Sequence, residues 1–263
     1  MFAATACPGP YLQSKFPELV EAVNYRLDHD MPEPLPTEPE TPVEPEYENV
    51  IKEATNEDCK TYPSGRTDAG VHALSQVAHF DLDTKMELFR IREAFNAHLR
   101  DVGAPVSVLD VQVVADDFHA RFSAKGRGYI YRILNRRARP VLLENRVWWV
   151  PFPLDTDLMK QGAKHLIGHH DFSAFRGSGC QALSPIKTLD KLDIVVNGDE
   201  IDFIVEARSF LYHQVRNMVG TLKMVGDGKL KPEDIKTILE AKDRSKAGAT
   251  APAYGLYLSK VVY

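Results

Sequence analysis

Apolar positions in this chain recur with two periods, and stretches of the two kinds are interleaved from end to end. Leu19, Val20, Val23 and Leu27 fall at helical spacing behind Pro17, which suits a first turn, so residues 17–27 read as a short amphipathic helix. From Gln76 to Leu82 apolar and polar residues alternate as in a strand. Leu88, Ile91, Phe95 and Leu99 then line one face of a helix over 87–100, and residues 106–114 alternate as a strand with Leu109, Val111 and Val113 to one side. A strand over 129–134 puts Tyr129, Tyr131 and Ile133 on one face and Arg132 on the other. Residues 146–150 form a short aromatic strand, and 155–167 a helix with Leu158, Met159, Ala163 and Leu166 facing inward, stopped at Gly168. Strands over 189–196 and 201–207 flank Asn197-Gly198, a strong hairpin signal. A helix over 210–222 aligns Leu211, Val215, Met218 and Leu222, with Arg216 at the edge of that stripe. Another helix opens at Lys231-Pro232-Glu233-Asp234 and runs to about residue 242, and a last strand ends at Tyr263.

Composition adds three constraints. A chain of 263 residues, 44% hydrophobic and 26% charged, can bury a sizeable core and holds one large domain or two small ones. No apolar run nears the ~20 residues of a membrane span, and a signal-peptide start is absent, so a soluble protein is expected. Cys7, Cys59 and Cys180 are odd in number and widely spaced, which argues against a disulfide framework or a thiolate zinc site and for a reducing compartment.

Charge is divided unevenly. Between Asp28 and Asp58 eleven acids face one base, Lys52, a net of −10; the chain's total of −5 therefore leaves +5 on the rest. Six prolines lie between Met31 and Glu48 with almost nothing to bury, so residues 28–58 are expected to form an acidic, disordered insertion.

Three blocks carry candidate chemistry. Gly65-Arg66-Thr67-Asp68-Ala69-Gly70-Val71-His72-Ala73 places one carboxylate between glycines on a tight loop, which an ordinary Asx-turn would also explain. From Arg121 to Arg139 there are seven bases (Arg121, Lys125, Arg127, Arg132, Arg136, Arg137 and Arg139) and no acid, and Tyr129 and Tyr131 lie among them. Bases for phosphates and aromatics for a nucleobase suit an RNA-binding groove. The third block is Phe210-Leu211-Tyr212-His213-Gln214-Val215-Arg216-Asn217-Met218-Val219-Gly220. His169-His170-Asp171 lacks further ligands at recognisable spacing, so it reads as structural and no metal is expected.

Together these blocks resemble the TruA-type tRNA pseudouridine synthases. The nine residues from Gly65 match that family's signature loop, Gly168 to Phe175 its G-x-x-D-F-x-x-F loop, and Phe210 to Gly220 its F-x-x-x-x-V-R-N-x-V-G helix. Gly128 departs from it, standing where the family usually has Lys or Arg. The resemblance covers Gly65 to Tyr263. Family members begin with a strand and a Y-D-G-x-x-F-x-G-W-Q loop, which nothing before Pro17 resembles, so the chain either starts late or carries a remodelled first half.

The resemblance implies an α+β fold of two RNA-recognition-motif-like halves sharing a mostly antiparallel sheet, with the active site in the cleft between them. The halves are expected at residues 1–115 and 116–263. It further implies isomerisation of uridine to pseudouridine in the anticodon arm of tRNA, positions 38 to 40, with no cofactor. Asp68 would be the catalytic residue, Arg216 its partner, Tyr129 the ring packed on the base and Leu256 a wall of the uracil pocket. Arg66, Arg121, Lys125 and Arg127 would hold the RNA. The expected setting is the cytoplasm or an organelle matrix, with tRNA as partner, no membrane, and room for a homodimer. Two rivals remain: a non-catalytic RNA-binding or RNA-chaperone protein, and a glycosidase-like hydrolase, which would need a second acid that no block supplies.

Overall fold

The computed structural model describes residues 4–5, 24–25, 45–55 and 58–263. Its elements, in chain order, begin with β1 (Ala4–Thr5), β2 (Asn24–Tyr25), α1 (Pro45–Thr55), β3 (Tyr62–Pro63), β4 (His72–Ala73), β5 (Ala78–His79), α2 (Leu88–Asp101), β6 (Ser107–Val108) and β7 (Gln112–Val113). They continue with β8 (Gly126–Asn135), β9 (Trp148–Val150), α3 (Thr156–Ala163), β10 (Gly168–Asp171), β11 (Ile186–Asn197), β12 (Glu200–Ala207), α4 (Gln214–Gly226), α5 (Asp234–Ala241) and β13 (Leu256–Val262). The residues divide into two compact units. One holds the described residues up to Arg66 with Ala73–Ala124 and Lys260–Tyr263; the other holds Thr67–His72 and Lys125–Ser259. The division falls after Ala124, and the Asp68 loop is grouped with the later half of the chain.

The first unit is built on α2, whose inward positions Ile91, Phe95 and Leu99 are buried as their spacing requires. Phe95 meets Phe80 edge to face at 5.8 Å, and α1 packs beside α2. Its strands are short pairs: β1 with β6 and β3 with β5 antiparallel, β2 with β7 parallel.

Three expectations change here. Most of the helix expected over 17–27 lies outside the described residues, and Asn24–Tyr25 within it is strand. The disordered insertion expected over 28–58 contains α1, because Val50 and Ile51 supply a buried edge that the acidic average conceals; the rest of it lies largely outside the described residues. The single strand expected over 106–114 is broken. Asn96 donates to the Val108 carbonyl (2.8 Å) and accepts from the Val108 amide (2.7 Å), while Asp110 accepts from the Val111 amide, so side chains take bonds a ladder would have made. Val111 is buried, but Leu109 and Val113 are exposed.

The second unit is α+β in the sense expected. Among the described residues its seven-stranded sheet runs β10-β11-β12-β8-β13-β4, with β9 alongside β8. The β10–β11, β11–β12 and β12–β8 pairs are antiparallel and β8–β9 is parallel. The β11–β12 hairpin closes through Gly198-Asp199, with Gly198 at φ 60°, the left-handed conformation that a two-residue hairpin turn requires. Ile201, Phe203, Val205 and Ala207 of β12 alternate into one face, where Tyr131 and Ile133 of β8, Met159 of α3, Met218 and Leu222 of α4 and Ile235 of α5 complete the core. Burying each such side chain contributes about 1.5–3 kcal/mol. Asp155 caps α3 by accepting from the Asp157 and Leu158 amides.

The opposite face of β8 and β12 carries a further correction. Arg132 does point away from Tyr129 and Tyr131, but it is not an RNA-facing base: it lies opposite Asp202 in register and is buried against it. Among the described residues no helix is long and apolar enough to cross a membrane.

Candidate active site

The chain around Asp68 makes a tight turn because its sequence allows one. The Val71 amide donates to the Asp68 carbonyl at 3.0 Å, and Gly70 takes φ 81° at the position where a side chain would be strained. Past the turn, His72 lies stacked on Tyr257 (4.8 Å between ring centroids) and its Nε2 is 3.0 Å from the Asn145 carbonyl, which anchors the loop's exit. The Tyr257 hydroxyl in turn donates to the Arg146 carbonyl.

The helix expected over 210–222 begins later than its apolar stripe suggests. Residues 210–213 are not helical; α4 starts at Gln214, preceded by His213 at φ 61°, and a non-glycine residue held there costs about 1–2 kcal/mol. Leu211 is buried all the same, and its amide donates to Gln214 Oε1 at 2.8 Å. This left-handed step turns the His213 imidazole away from the helix and toward the Asp68 loop.

The two segments meet at one carboxylate. Arg216 Nη1 donates to Asp68 Oδ2 at 2.6 Å, across 148 residues of sequence, and His213 Nε2 lies 3.1 Å from the same oxygen. Side-chain exposure is 14% for Arg216 and 22% for Asp68, so the pair is open on one side. Arg216 Nε donates to the Ala251 carbonyl at 2.8 Å, and the Ala251 amide donates back to the Arg216 carbonyl. That clamp depends on Gly220: a Cβ there would stand 1.9 Å from the Ala249 carbonyl oxygen, so no other residue admits the 249–251 strand of chain so close to α4. Below it, Asn217 accepts from Arg244 (3.0 Å) and Thr250 (2.7 Å) and donates to the Phe175 carbonyl.

Tyr129 meets Phe210 edge-on at 5.2 Å; burial, with Asp68's charge adding to it against Arg127, pushes its phenol up to about 12. It is a neutral ring at any working pH. Tyr131 donates to the Pro252 carbonyl at 2.8 Å and is packed against Gly255, where a Cβ would come within 2.7 Å of the ring. Burial lowers the His213 imidazole below its ordinary value, and Arg216 and Arg244 lower it further against the pull of Asp68, which favours the neutral ring; its Nε2 faces the carboxylate.

The second unit therefore brings together Asp68, Arg216 and Tyr129 of the expected residues, with Leu256 buried in the same core. Lys125 is exposed, and Arg127 is half-buried with Nη1 on the Arg208 carbonyl at 3.0 Å. Arg66 and Arg121 belong to the first unit; both are exposed, and the Arg121 guanidinium lies 5.7 Å from the centre of the Phe122 ring. His213, which touches Asp68, was hidden in the sequence by a stripe that read as unbroken helix. His169 bonds Thr188, His170 lies against the Ile167 carbonyl and Asp171 caps Ser173; among the described residues no group of three or more His, Cys, Asp or Glu side chains could hold a metal.

Asp68 is thus held by an arginine from a distant segment of the chain, with the neutral Tyr129 ring within reach of its charge. Comparison with known proteins identifies the family. The tRNA pseudouridine synthase family model matches residues 163–263. The chain is 54% identical over 216 residues to tRNA pseudouridine synthase A of Paramagnetospirillum magneticum, covering 82% of this chain and 84% of that one. Against the enzyme of the same name from Wolbachia pipientis it is 50% identical over 221 residues, 84% and 89% of the two chains, and against that of Rhodospirillum rubrum 51% over 221 residues, 82% and 79%. The chain belongs to the tRNA pseudouridine synthase A family.

Proposed function

We propose that this protein isomerises uridine to pseudouridine in tRNA, at uridines of the anticodon arm. The observation that carries the reading is the Asp68–Arg216 contact at 2.6 Å, which no local sequence effect could produce. In the reaction the C1′–N1 bond breaks, the base turns, a C1′–C5 bond forms, C5 gives up its hydrogen and N1 gains one. Nothing is consumed, which fits a site that needs one carboxylate and a base platform.

Asp68 acts on the ribose, either as nucleophile at C1′ or as base at C2′. Arg216 holds its charge and direction, and Tyr129, kept neutral, packs on the extruded base, which costs a few kcal/mol to unstack. Leu256 walls the pocket, and Arg66, Arg121, Lys125 and Arg127 engage phosphates. The protein acts in the cytoplasm or an organelle matrix, and a homodimer is compatible with this reading.

Release of tritium from unmodified tRNA labelled at uridine C5 tests it. Stoichiometric release is expected; tRNA that is bound without any release would overturn the activity.

A further inference from the structure

Arg216 Nη1 and His213 Nε2 both address Oδ2 of Asp68, and Oδ1 makes no hydrogen bond with any described residue. A carboxylate that accepts from an arginine at one oxygen, with an imidazole nitrogen close against the same oxygen, has its plane restrained and its second oxygen aimed. We infer that His213 is a positioning residue: with Arg216 it ties down Oδ2 so that Oδ1 is presented to the ribose. This rests on the reading of Asp68 as the group that acts on the sugar.

Several features hold the imidazole for this task and for little else. His213 sits at φ 61° immediately before α4, where an imidazole gives the helix no cap, so the strain there serves the contact to Asp68. Tyr212 lies over the ring at 3.7 Å between centroids, nearly parallel at 25°. Along one edge of this stacked pair Gly177 approaches so closely that a Cβ would lie 3.0 Å from His213 Nδ1 and 2.8 Å from Tyr212, and the Gly177 amide donates to the Tyr212 carbonyl. The ring is thus held by a stacked tyrosine on one face and a glycine backbone at its Nδ1 edge, with Nε2 toward the carboxylate.

The charged and titratable groups around it are Asp68 on the loop, Arg216 on α4, Arg244 in the 3-10 turn Arg244–Lys246, and Cys180, whose Sγ accepts from the Tyr212 amide at 3.4 Å. Two of these are cations, so protonating His213 would add a third positive charge beside a carboxylate already matched by Arg216. The imidazole must stay neutral to donate without quenching Asp68, and its lowered proton affinity keeps it so.

The test compares His213→Asn with His213→Gln. Asparagine accepts the left-handed backbone, but its amide reaches only the place of Nδ1; glutamine puts a donor where Nε2 was. In single-turnover tritium release, His213→Asn should lose about 10- to 100-fold in rate, the range a hydrogen bond to a charged group spans, with tRNA Kd within about twofold. His213→Gln should regain most of that rate, and its activity should persist to lower pH than the wild type's, because nothing titrates at that position. A wild-type rate in His213→Asn, or an equal loss in both variants, would overturn the assignment. If His213→Asn does not fold, the acid limb of His213→Gln decides: a limb coincident with the wild type's overturns it. Wild-type protein without tritium release would remove the underlying reading instead, so the two failures are told apart in one series.

Discussion

Two of the aspartates paired with an arginine in the second unit, Asp202 and Asp68, differ in how many oxygens the pairing uses. Arg132 and Asp202 are neighbours across β8 and β12; Nε meets Oδ1 at 2.7 Å and Nη2 meets Oδ2 at 2.8 Å, with side-chain exposures of 8% and 11%. Glu200 stands 3.4 Å from the same guanidinium. Both oxygens of that carboxylate are engaged, and the sheet holds both partners. At Asp68 the Arg216 donor and the His213 imidazole both stand against one oxygen, and the pair is more open to solvent. A fork-to-fork pair in a sheet is a structural tie, whereas a carboxylate gripped at one oxygen keeps an acceptor for a reacting atom.

Substitutions should pull the two pairs apart. Asp68→Asn should lower turnover by at least about 10³-fold while tRNA affinity stays within about twofold and the thermal midpoint moves little, since asparagine keeps the shape and its carbonyl still accepts from Arg216. Tritium release, filter binding and thermal denaturation of one preparation check all three. Asp202→Ala should do the reverse: about 3 kcal/mol of stability is lost in urea titration because Arg132 is left buried with an incomplete partner, while the rate per folded molecule is kept.

Arg216→Lys should reduce the rate by about 10- to 100-fold, because an ammonium cannot serve both Asp68 and the Ala251 carbonyl as the planar fork does. Single-turnover kinetics at saturating tRNA read this directly. The smallest effect concerns the exposed bases. Neutralising Lys125, Arg136 or Arg137 singly should lower the slope of log affinity against log salt by roughly 0.7 to 1, and replacing Arg132 should leave that slope unchanged.

Residues whose roles depend on local spacing were legible in the sequence. Ile91, Phe95 and Leu99 announced α2, Asn197-Gly198 announced the hairpin, and the glycines around Asp68 announced its turn. Roles fixed by a partner far away in sequence were not. Arg132 counted as one more RNA-facing base because Asp202, 70 residues on, enters only through strand register. The broken strand near 110 depended on Asn96, an α2 residue whose amide replaces a ladder partner. His213 escaped because Leu211 is buried whether or not its backbone is helical, so periodicity carried straight through a left-handed residue. The Asp68–Arg216 pairing was expected only from the family resemblance, since no pattern in either segment names the other.

The distance between those segments also sets an order in time. Thr67–His72 is grouped with a body whose remaining residues begin at Lys125, so the acid is synthesised long before the elements that surround it. At about 5–20 residues per second a ribosome needs on the order of ten seconds to go from Asp68 to Arg216, 148 residues later. Throughout that interval the nascent chain displays a carboxylate with neither of its donors, and a fragment started at Lys125 would have the reverse defect. Supplying residues 58–124 as a separate polypeptide is then the natural way to ask whether the site can be assembled from two pieces.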